Sequence, residues 1–243
     1  MPAAAEKSTI AKQTAAQFVK RLESCRPSTA REYAKADKEG YDKDDLFMGV
    51  GMGQVFAVAK EFMAMPTSEI AILFKSTVHE VRVGAVSIMD FQARNKKITE
   101  PTKKELFDLY IKNHGKINSW GMVDRAAPYV VGGYLFDKPR AVLYKLARSK
   151  NIWERRTAIV STYYFIRQGE VSDTFKIAEL LVNDKEHFIQ TAVGSWIREA
   201  GKKDPQRLLD FLDKYASTMP RTALRYAVEH LDKKTREAYM SVK

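Results

Sequence analysis

The sequence has one cysteine and no long apolar run. Cys25 has no second cysteine with which to form an internal disulfide or a cysteine-ligated metal cluster. The first residues lack the apolar stretch of about 7–15 residues found in secretory signals, and no later run reaches the roughly 20 apolar residues that span a bilayer. We therefore expect no membrane partner and a cytoplasmic location, nucleoid-associated if the protein is bacterial.

Glycine, proline and the common catalytic motifs are also scarce. The 243 residues include 12 Gly and 8 Pro, and 45% are hydrophobic, which excludes collagen-like, low-complexity and mostly disordered classes. There is no P-loop, GxGxxG, GxSxG or HExxH motif. The four histidines, His79, His114, His187 and His230, are far apart in the sequence. The sequence thus predicts no metal site and no cofactor.

Positive charge is abundant and unevenly distributed. The formal net charge is +11, but residues 1–45 hold nine basic and eight acidic side chains and contribute only +1. Residues 138–156 hold seven basic side chains and one acidic, a local net charge of +6. A folded basic surface binds nucleic acid through counterion release without a sequence motif. The alternative is that these basic side chains simply lie in water on the outer faces of the helices.

Apolar residues recur mostly at helical spacing, and a weak repeat accompanies them. Ala85, Ala158 and Ala192 each lie within an apolar helical segment, and the last two are 34 residues apart. With one more divergent copy between the first two, the spacing fits a unit of about 34–37 residues, and paired helices at such a period indicate a HEAT-like or related α-solenoid. We expect an all-α solenoid of HEAT-like repeats with a concave basic face. It should form a single domain over residues 1–243, in which residues 1–30 are expected as a loosely attached N-terminal helix.

Trp120 and Asp124 form the most specific constellation. They are four residues apart and so share one face of a helix that is expected to end near Pro128. On one helix face, an aromatic ring can pack on a sugar while a carboxylate beside it faces positive charge that develops on that sugar. The alternative interpretation is a half-buried tryptophan beside a capping or salt-bridging aspartate.

With these features the chain resembles the AlkD-type DNA alkylation-repair glycosylases, which are HEAT-like-repeat proteins of similar length. The resemblance runs from about Tyr33 to Tyr239. It is strongest in the segments 45–50, 55–62, 117–132, 147–159, 188–205 and 219–231.

The resemblance implies a monofunctional glycosylase that binds duplex DNA and releases cationic bases such as 3-methyladenine and 7-methylguanine. The family's W-x-x-x-D motif matches Trp120 and Asp124, with the ring packing on deoxyribose and the carboxylate stabilising its cation. Arg156 matches the arginine that supports the site and the DNA backbone. The partner is then double-stranded DNA with alkylated bases, and the protein a monomer.

Further residues are expected to contact DNA, on the basis of charge, helical spacing or the resemblance. They are Tyr33, Lys145, Arg148, Lys150, Trp153, Arg155, Ser195, Arg198, Lys202, Arg221 and Arg225.

The chain also departs from the family. Ser195 stands where a second tryptophan is found, and Trp196 points about 100° away from it on a helix. Gly121 replaces a common acidic residue, and residues 51–53 differ from the usual turn. These departures leave open a non-catalytic protein that binds damaged or branched DNA. A further alternative is a helical-repeat scaffold whose positive charge is incidental.

Overall fold

The structure, a computed structural model, describes residues 13–28, 34–35 and 43–242, and these are mainly helical. Strands β1 (Ala34–Lys35) and β2 (Leu46–Phe47) pair antiparallel. The helices are α1 (Ala15–Glu23), α2 (Met52–Glu61), α3 (Thr67–Leu73), α4 (His79–Ala93), α5 (Glu100–Lys112), α6 (Trp120–Ala126), α7 (Gly133–Leu135), α8 (Ala141–Ala147), α9 (Ile152–Arg167), α10 (Ser172–Leu181), α11 (His187–Gly201), α12 (Pro205–Tyr215), α13 (Arg221–Ala227) and α14 (Lys233–Ser241).

Most of these helices stack in two rows. The inner row runs α2, α4, α6, α9, α11 and α13, each packed on the next, and the outer row contains α3, α5, α8, α10 and α12. Ala85, Ala158 and Ala192 lie on α4, α9 and α11 and are fully or almost fully buried. Small residues at these positions let neighbouring helices approach. The predicted all-α solenoid is confirmed.

Two glycines set the spacing within the inner row. A Cβ added to Gly132 would lie 2.1 Å from the carbonyl oxygen of Ser161 on α9. A Cβ added to Gly194 on α11 would lie 2.3 Å from the carbonyl oxygen of Ala223 on α13. Both distances are shorter than van der Waals contact, so the adjacent helices can be this close only where no side chain intervenes.

The helix that carries Trp120 continues past its expected end. The α-helical hydrogen-bond pattern stops at Ala126, close to the end expected near Pro128, but Ala127–Gly132 continue as a π-helical segment into α7. Proline has no N–H to donate to the preceding turn, which breaks the α pattern. The wider π turn accommodates this loss without ending the helix.

The helix α1 is part of the core. Phe18 and Leu22 are fully buried, and the ring of Phe18 occupies the space beside Gly84 on α4. Its N-terminus is closed by a reciprocal pair of hydrogen bonds between Thr14 and Gln17. Within residues 1–30, α1 therefore packs on the core through Ala15, Phe18 and Leu22. Within the described residues, no helix is long and apolar enough to cross a membrane.

Candidate active site

A groove of about 680 Å³ crosses the inner row from α6 to α13. Its lining residues are Trp120, Asp124, Arg156, Tyr163, His187, Phe188, Thr191, Ala192, Ser195, Trp196, Arg198, Glu199 and Tyr226.

Trp120 and Asp124 lie on the first turns of α6. Ser119 caps this helix by accepting a hydrogen bond from the Met122 N–H, which fixes where the helix begins. Trp120 is 47% exposed. A large aromatic ring that remains this exposed does not serve the core, which argues against a purely structural role for it.

Arg156 on α9 holds Asp124 with two hydrogen bonds. Its Nε donates to Oδ1 at 2.8 Å and its Nη2 donates to Oδ2 at 2.7 Å. Nη1 donates to the carbonyl oxygen of Phe188 at the start of α11. The three helices α6, α9 and α11 are thereby joined at one point, and the carboxylate has a fixed orientation.

Arg156 is largely buried beside the groove. Its side chain is 9% exposed, and each of its three nitrogens donates within the protein. These bonds fix the guanidinium between Asp124 and Phe188, and a contact of Arg156 with the DNA backbone stays a prediction. Asp124 has a side chain that is 32% exposed, so the carboxylate still faces the groove.

A buried polar layer lies beside this pair. Thr157, next to Arg156 in sequence, is hydrogen-bonded through its hydroxyl to the Tyr110 hydroxyl at 3.0 Å and to Nε2 of His114 at 2.8 Å. Burial raises the pKa of Tyr110, and the charge of Asp124 raises it further. Burial also lowers the pKa of His114. Both groups are thus neutral at pH 7, and α5 is fixed to α9 without a buried charge.

The other residues predicted to contact DNA lie in several different surroundings. Ser195 and Arg198 line the groove. Lys145, Arg148 and Lys150 are exposed on α8 and on the turn before α9. Tyr33 lies outside the described residues.

Two of the residues predicted to contact DNA, Arg155 and Trp153, interact with other parts of the protein. Arg155 donates to both oxygens of Asp184, at 2.7 and 3.3 Å, and to the carbonyl oxygens of Ser149 and Lys150. The ring of Trp153 packs on Phe188, with ring centroids 5.4 Å apart. Both side chains are partly exposed, so their contact with DNA stays a prediction.

The last three predicted contacts lie on or after the C-terminal inner helices. Arg225 is exposed, Arg221 is partly buried, and the ammonium of Lys202 pairs with Glu199 at 2.7 Å.

The lining of the groove carries no net formal charge. Two arginines, Arg156 and Arg198, are matched by two carboxylates, Asp124 and Glu199. Arg198 is further paired with Glu229, and its Nε lies 3.5 Å from Glu199. The positive charge therefore lies on surrounding surface, such as the turn at 148–150, and the groove itself is aromatic and neutral.

Sequence reasoning missed several groove residues. Tyr163 lies seven residues, or two helical turns, after Arg156, and His187, Thr191 and Ser195 are spaced by four along α11. This spacing places each set on one helix face, so helical periodicity extended from Arg156 and Ser195 would have found them. Tyr226 has no such signal, because its position depends on how α13 packs against α11.

No three His, Cys, Asp or Glu side chains are grouped closely enough to hold a metal ion in the part of the chain that the structure describes. The polar and aromatic groups that line the groove include the carboxylate of Asp124, Arg156 and the rings of Trp120, Tyr163 and Trp196.

The stacked helices place the protein in the class of α-solenoid helical-repeat proteins. The family model that matches is described as DNA alkylation repair enzyme, over residues 15–231. The chain belongs to this DNA alkylation repair enzyme family, which implies that it binds DNA. No curated protein matches it significantly in sequence.

Solved structures share the fold. One is a predicted DNA alkylation repair enzyme from Enterococcus faecalis, with a TM-score of 0.60 and 18% identity over 78% of this chain and 90% of that chain. Another is AlkD2 from Streptococcus mutans, with a TM-score of 0.53 and 16% identity over 90% of this chain and 100% of that chain. At these identities the likeness supports the AlkD-type helical-repeat fold alone.

Proposed function

We propose that the protein is a monofunctional DNA glycosylase that hydrolyses the N-glycosidic bond of cationic alkylated purines in duplex DNA. The observation that supports this most is the convergence of Trp120, Asp124 and Arg156 in one groove. Three residues from two different helices form a single site there, and Arg156 orients the carboxylate through both of its oxygens.

The chemistry follows from the charge of the substrate. A purine methylated at N3 or N7 carries a positive charge, so it leaves as a neutral base when it takes the electron pair of the glycosidic bond. The deoxyribose is then left as an oxocarbenium-like cation, and a fixed carboxylate stabilises that cation. Water adds its oxygen to C1′ and loses a proton, which yields an abasic site.

Each residue has a defined part in this reaction. Asp124 faces the developing cation and positions the attacking water, while Trp120 packs its exposed ring against the sugar. Arg156 is a positioning residue, because it acts through Asp124, whose two oxygens it holds. The exposed cations of Lys145, Arg148 and Lys150 bind the phosphates near the start of α9.

The products of one defined substrate test the proposal. A duplex with a single 7-methylguanine should yield free 7-methylguanine and an unbroken strand with an abasic site, which breaks only on later treatment with alkali. Mass spectrometry of the small molecules and of the strand would identify both. Lesion DNA that is bound and recovered intact would instead indicate a non-catalytic damage-binding protein. Recovery of guanine within the strand would indicate direct demethylation.

A further inference from the structure

A buried ion pair that has no part in the proposed reaction contacts the turn that leads into α6. Nη2 of Arg82 on α4 donates to Oδ1 of Asp45 at 2.6 Å. Only 3% and 7% of the two side chains are exposed. We propose that this ion pair holds the turn at 116–118 and thereby positions the ring of Trp120 in the groove.

The guanidinium of Arg82 bonds the turn directly. Its Nε donates to the carbonyl oxygen of Lys116 at 3.2 Å, and its Nη2 donates to Oδ1 of Asn118 at 3.1 Å. Its Nη1 donates at 2.8 Å to the carbonyl oxygen of Ser76, in the turn between α3 and α4. All three nitrogens are thus engaged, and the turn is tied to α4 through both a main-chain and a side-chain oxygen.

Asp45 completes the arrangement. Its Oδ2 accepts a hydrogen bond from Nδ2 of Asn118 at 3.1 Å, so the amide of Asn118 bonds both members of the ion pair. The chain beyond Asp45 is fixed as well, because the buried carboxylate of Glu80 accepts from the N–H groups of Met48 and Gly49, at 3.0 and 2.8 Å. The side chain of Asn118 is therefore held in one orientation.

Trp120 follows this turn after a single residue. That residue, Ser119, is buried and is the N-cap of α6, so its position determines where the first turn of the helix begins. Trp120 is the first residue of the helix and is 47% exposed. With nearly half of its surface free of packing, its ring takes its direction largely from the backbone that carries it.

The two groups proposed to face the sugar are therefore held by different means. Arg156 bonds both oxygens of Asp124 directly, whereas Trp120 is held through the turn before it. Taking two charges out of water costs free energy that apolar side chains of similar volume would avoid. The retention of a buried ion pair at this turn fits a role in fixing geometry, and Arg82 and Asp45 are positioning residues on this account.

The part of this inference that concerns the reaction rests on the proposed function, so its test includes a measurement that does not depend on catalysis. The sequence has three tryptophans, and protein labelled with 5-fluorotryptophan should give one fluorine NMR signal for each. Trp120→Phe identifies the signal of Trp120. The position and width of that signal report the surroundings and the mobility of the ring in the free protein.

Two variants loosen the turn to different degrees. Asn118→Ala removes the amide but leaves the ion pair, and Arg82→Lys keeps the charge but cannot bond the carboxylate and the turn together. We expect both to shift or broaden the Trp120 signal and to slow the single-turnover release of 7-methylguanine about fivefold or more. The signals of Trp153 and Trp196 should stay in place, and the Kd for undamaged duplex should stay within about twofold of the wild type.

The control is Arg140→Lys, which makes the same change at another arginine that bonds both main chain and carboxylate. Arg140 is the N-cap of α8 in the outer row, and it donates to the carbonyl oxygen of Leu135 at 3.4 Å and to Asp173 at 2.6 Å. This variant should lower the melting temperature and leave the Trp120 signal unchanged.

An unchanged Trp120 signal in Asn118→Ala and Arg82→Lys would overturn the inference, and Asn118→Ala decides if Arg82→Lys does not fold. An equal change in Arg140→Lys would also overturn it, because the effect would then reflect general destabilisation. If the wild type releases base and the variants move the signal but keep the release rate, the turn does not position Trp120 for the reaction and the inference fails. If the wild type releases no base while the variants move the signal, the proposed function fails and the positioning of the ring stands.

Discussion

Arg155 and Arg156 show how neighbouring residues of one type acquire different roles. Each guanidinium bonds both oxygens of an aspartate, Asp184 for Arg155 and Asp124 for Arg156. Adjacent residues on a helix point about 100° apart. Arg156 therefore reaches the groove, whereas Arg155 joins α9 to the turn before α11.

This pair supplies a matched test of positioning. Lysine keeps the charge of arginine but cannot form two parallel hydrogen bonds to a carboxylate. Since a hydrogen bond to a charged group contributes about 1.5–3 kcal/mol, Arg156→Lys should slow base release about 10- to 100-fold under single-turnover conditions.

The control is Arg155→Lys, which makes the same change at the ion pair outside the groove. It should lower the melting temperature but leave the release rate within about twofold of the wild type once the protein is folded. Equal rates for the two variants would show that the orientation of Asp124 by Arg156 does not matter. Neither variant should change the affinity for undamaged duplex.

At the scale of elements, the sequence predicts the inner helices well and their contacts poorly. Buried alanines at Ala85, Ala158 and Ala192 identify three inner helices, because small residues are needed wherever helices stack. The π-helical continuation past Pro128 was not predicted, since proline is read as a helix end unless the neighbouring turns are known. The ion pair of Arg156 was not predicted either, because its partner is 32 residues away and on another helix.

The spacing of α11 and α13 can be tested at Gly194. A methyl group there would meet the backbone of Ala223 at 2.3 Å, and backbone cannot rotate away as a side chain can. Gly194→Ala should therefore reduce the free energy of unfolding by about 2–3 kcal/mol in urea denaturation.

Gly121→Ala is the matched control for this substitution. Gly121 is also in a helix, but no atom lies within 4 Å of an added Cβ. Its replacement should leave the free energy of unfolding unchanged or raise it by up to about 1 kcal/mol, because alanine favours the helix. Similar destabilisation in both variants would contradict a specific close contact at Gly194.

The layer between α5 and α9 should make stability depend on pH. Burial lowers the pKa of His114 from 6.5, so the unfolded chain takes up a proton here at a higher pH than the folded protein does. The contribution of neutral His114 to the free energy of unfolding is fully present above about pH 6.5. As the pH falls below this value, the contribution decreases by at most about 1.4 kcal/mol per pH unit.

Urea unfolding at pH 7.5, 6.5 and 5.5 measures this dependence. His114→Gln removes the titration but keeps an amide that can bond to Thr157, so it should show a shallower fall in stability towards pH 5.5. His230→Gln changes an exposed histidine and should follow the wild type. A His114→Gln slope as steep as that of the wild type would contradict the assignment.

At the scale of the whole molecule, the net charge of +11 lies outside the groove, whose lining has no net formal charge. The sequence located the catalytic candidates Trp120 and Asp124 because their spacing places them on one helix face. The neutrality of the groove was not predicted from the sequence. Arg156 is offset by Asp124, which is 32 residues away, and Arg198 by Glu199, whose adjacent position does not indicate that both side chains line the groove. Under the proposed function, the surrounding surface supplies the long-range attraction of DNA and the groove supplies the chemistry.

The most direct test of the central claim is the single-turnover release of 7-methylguanine from a defined duplex by the wild type, Asp124→Asn and Asp184→Asn. Asp124→Asn removes the charge that faces the sugar cation, whereas Asp184→Asn removes an arginine-bound carboxylate outside the groove. We predict a rate for Asp124→Asn that is at least about 100-fold lower, with duplex binding retained, and a near wild-type rate for Asp184→Asn. Release by Asp124→Asn at the wild-type rate would contradict the account.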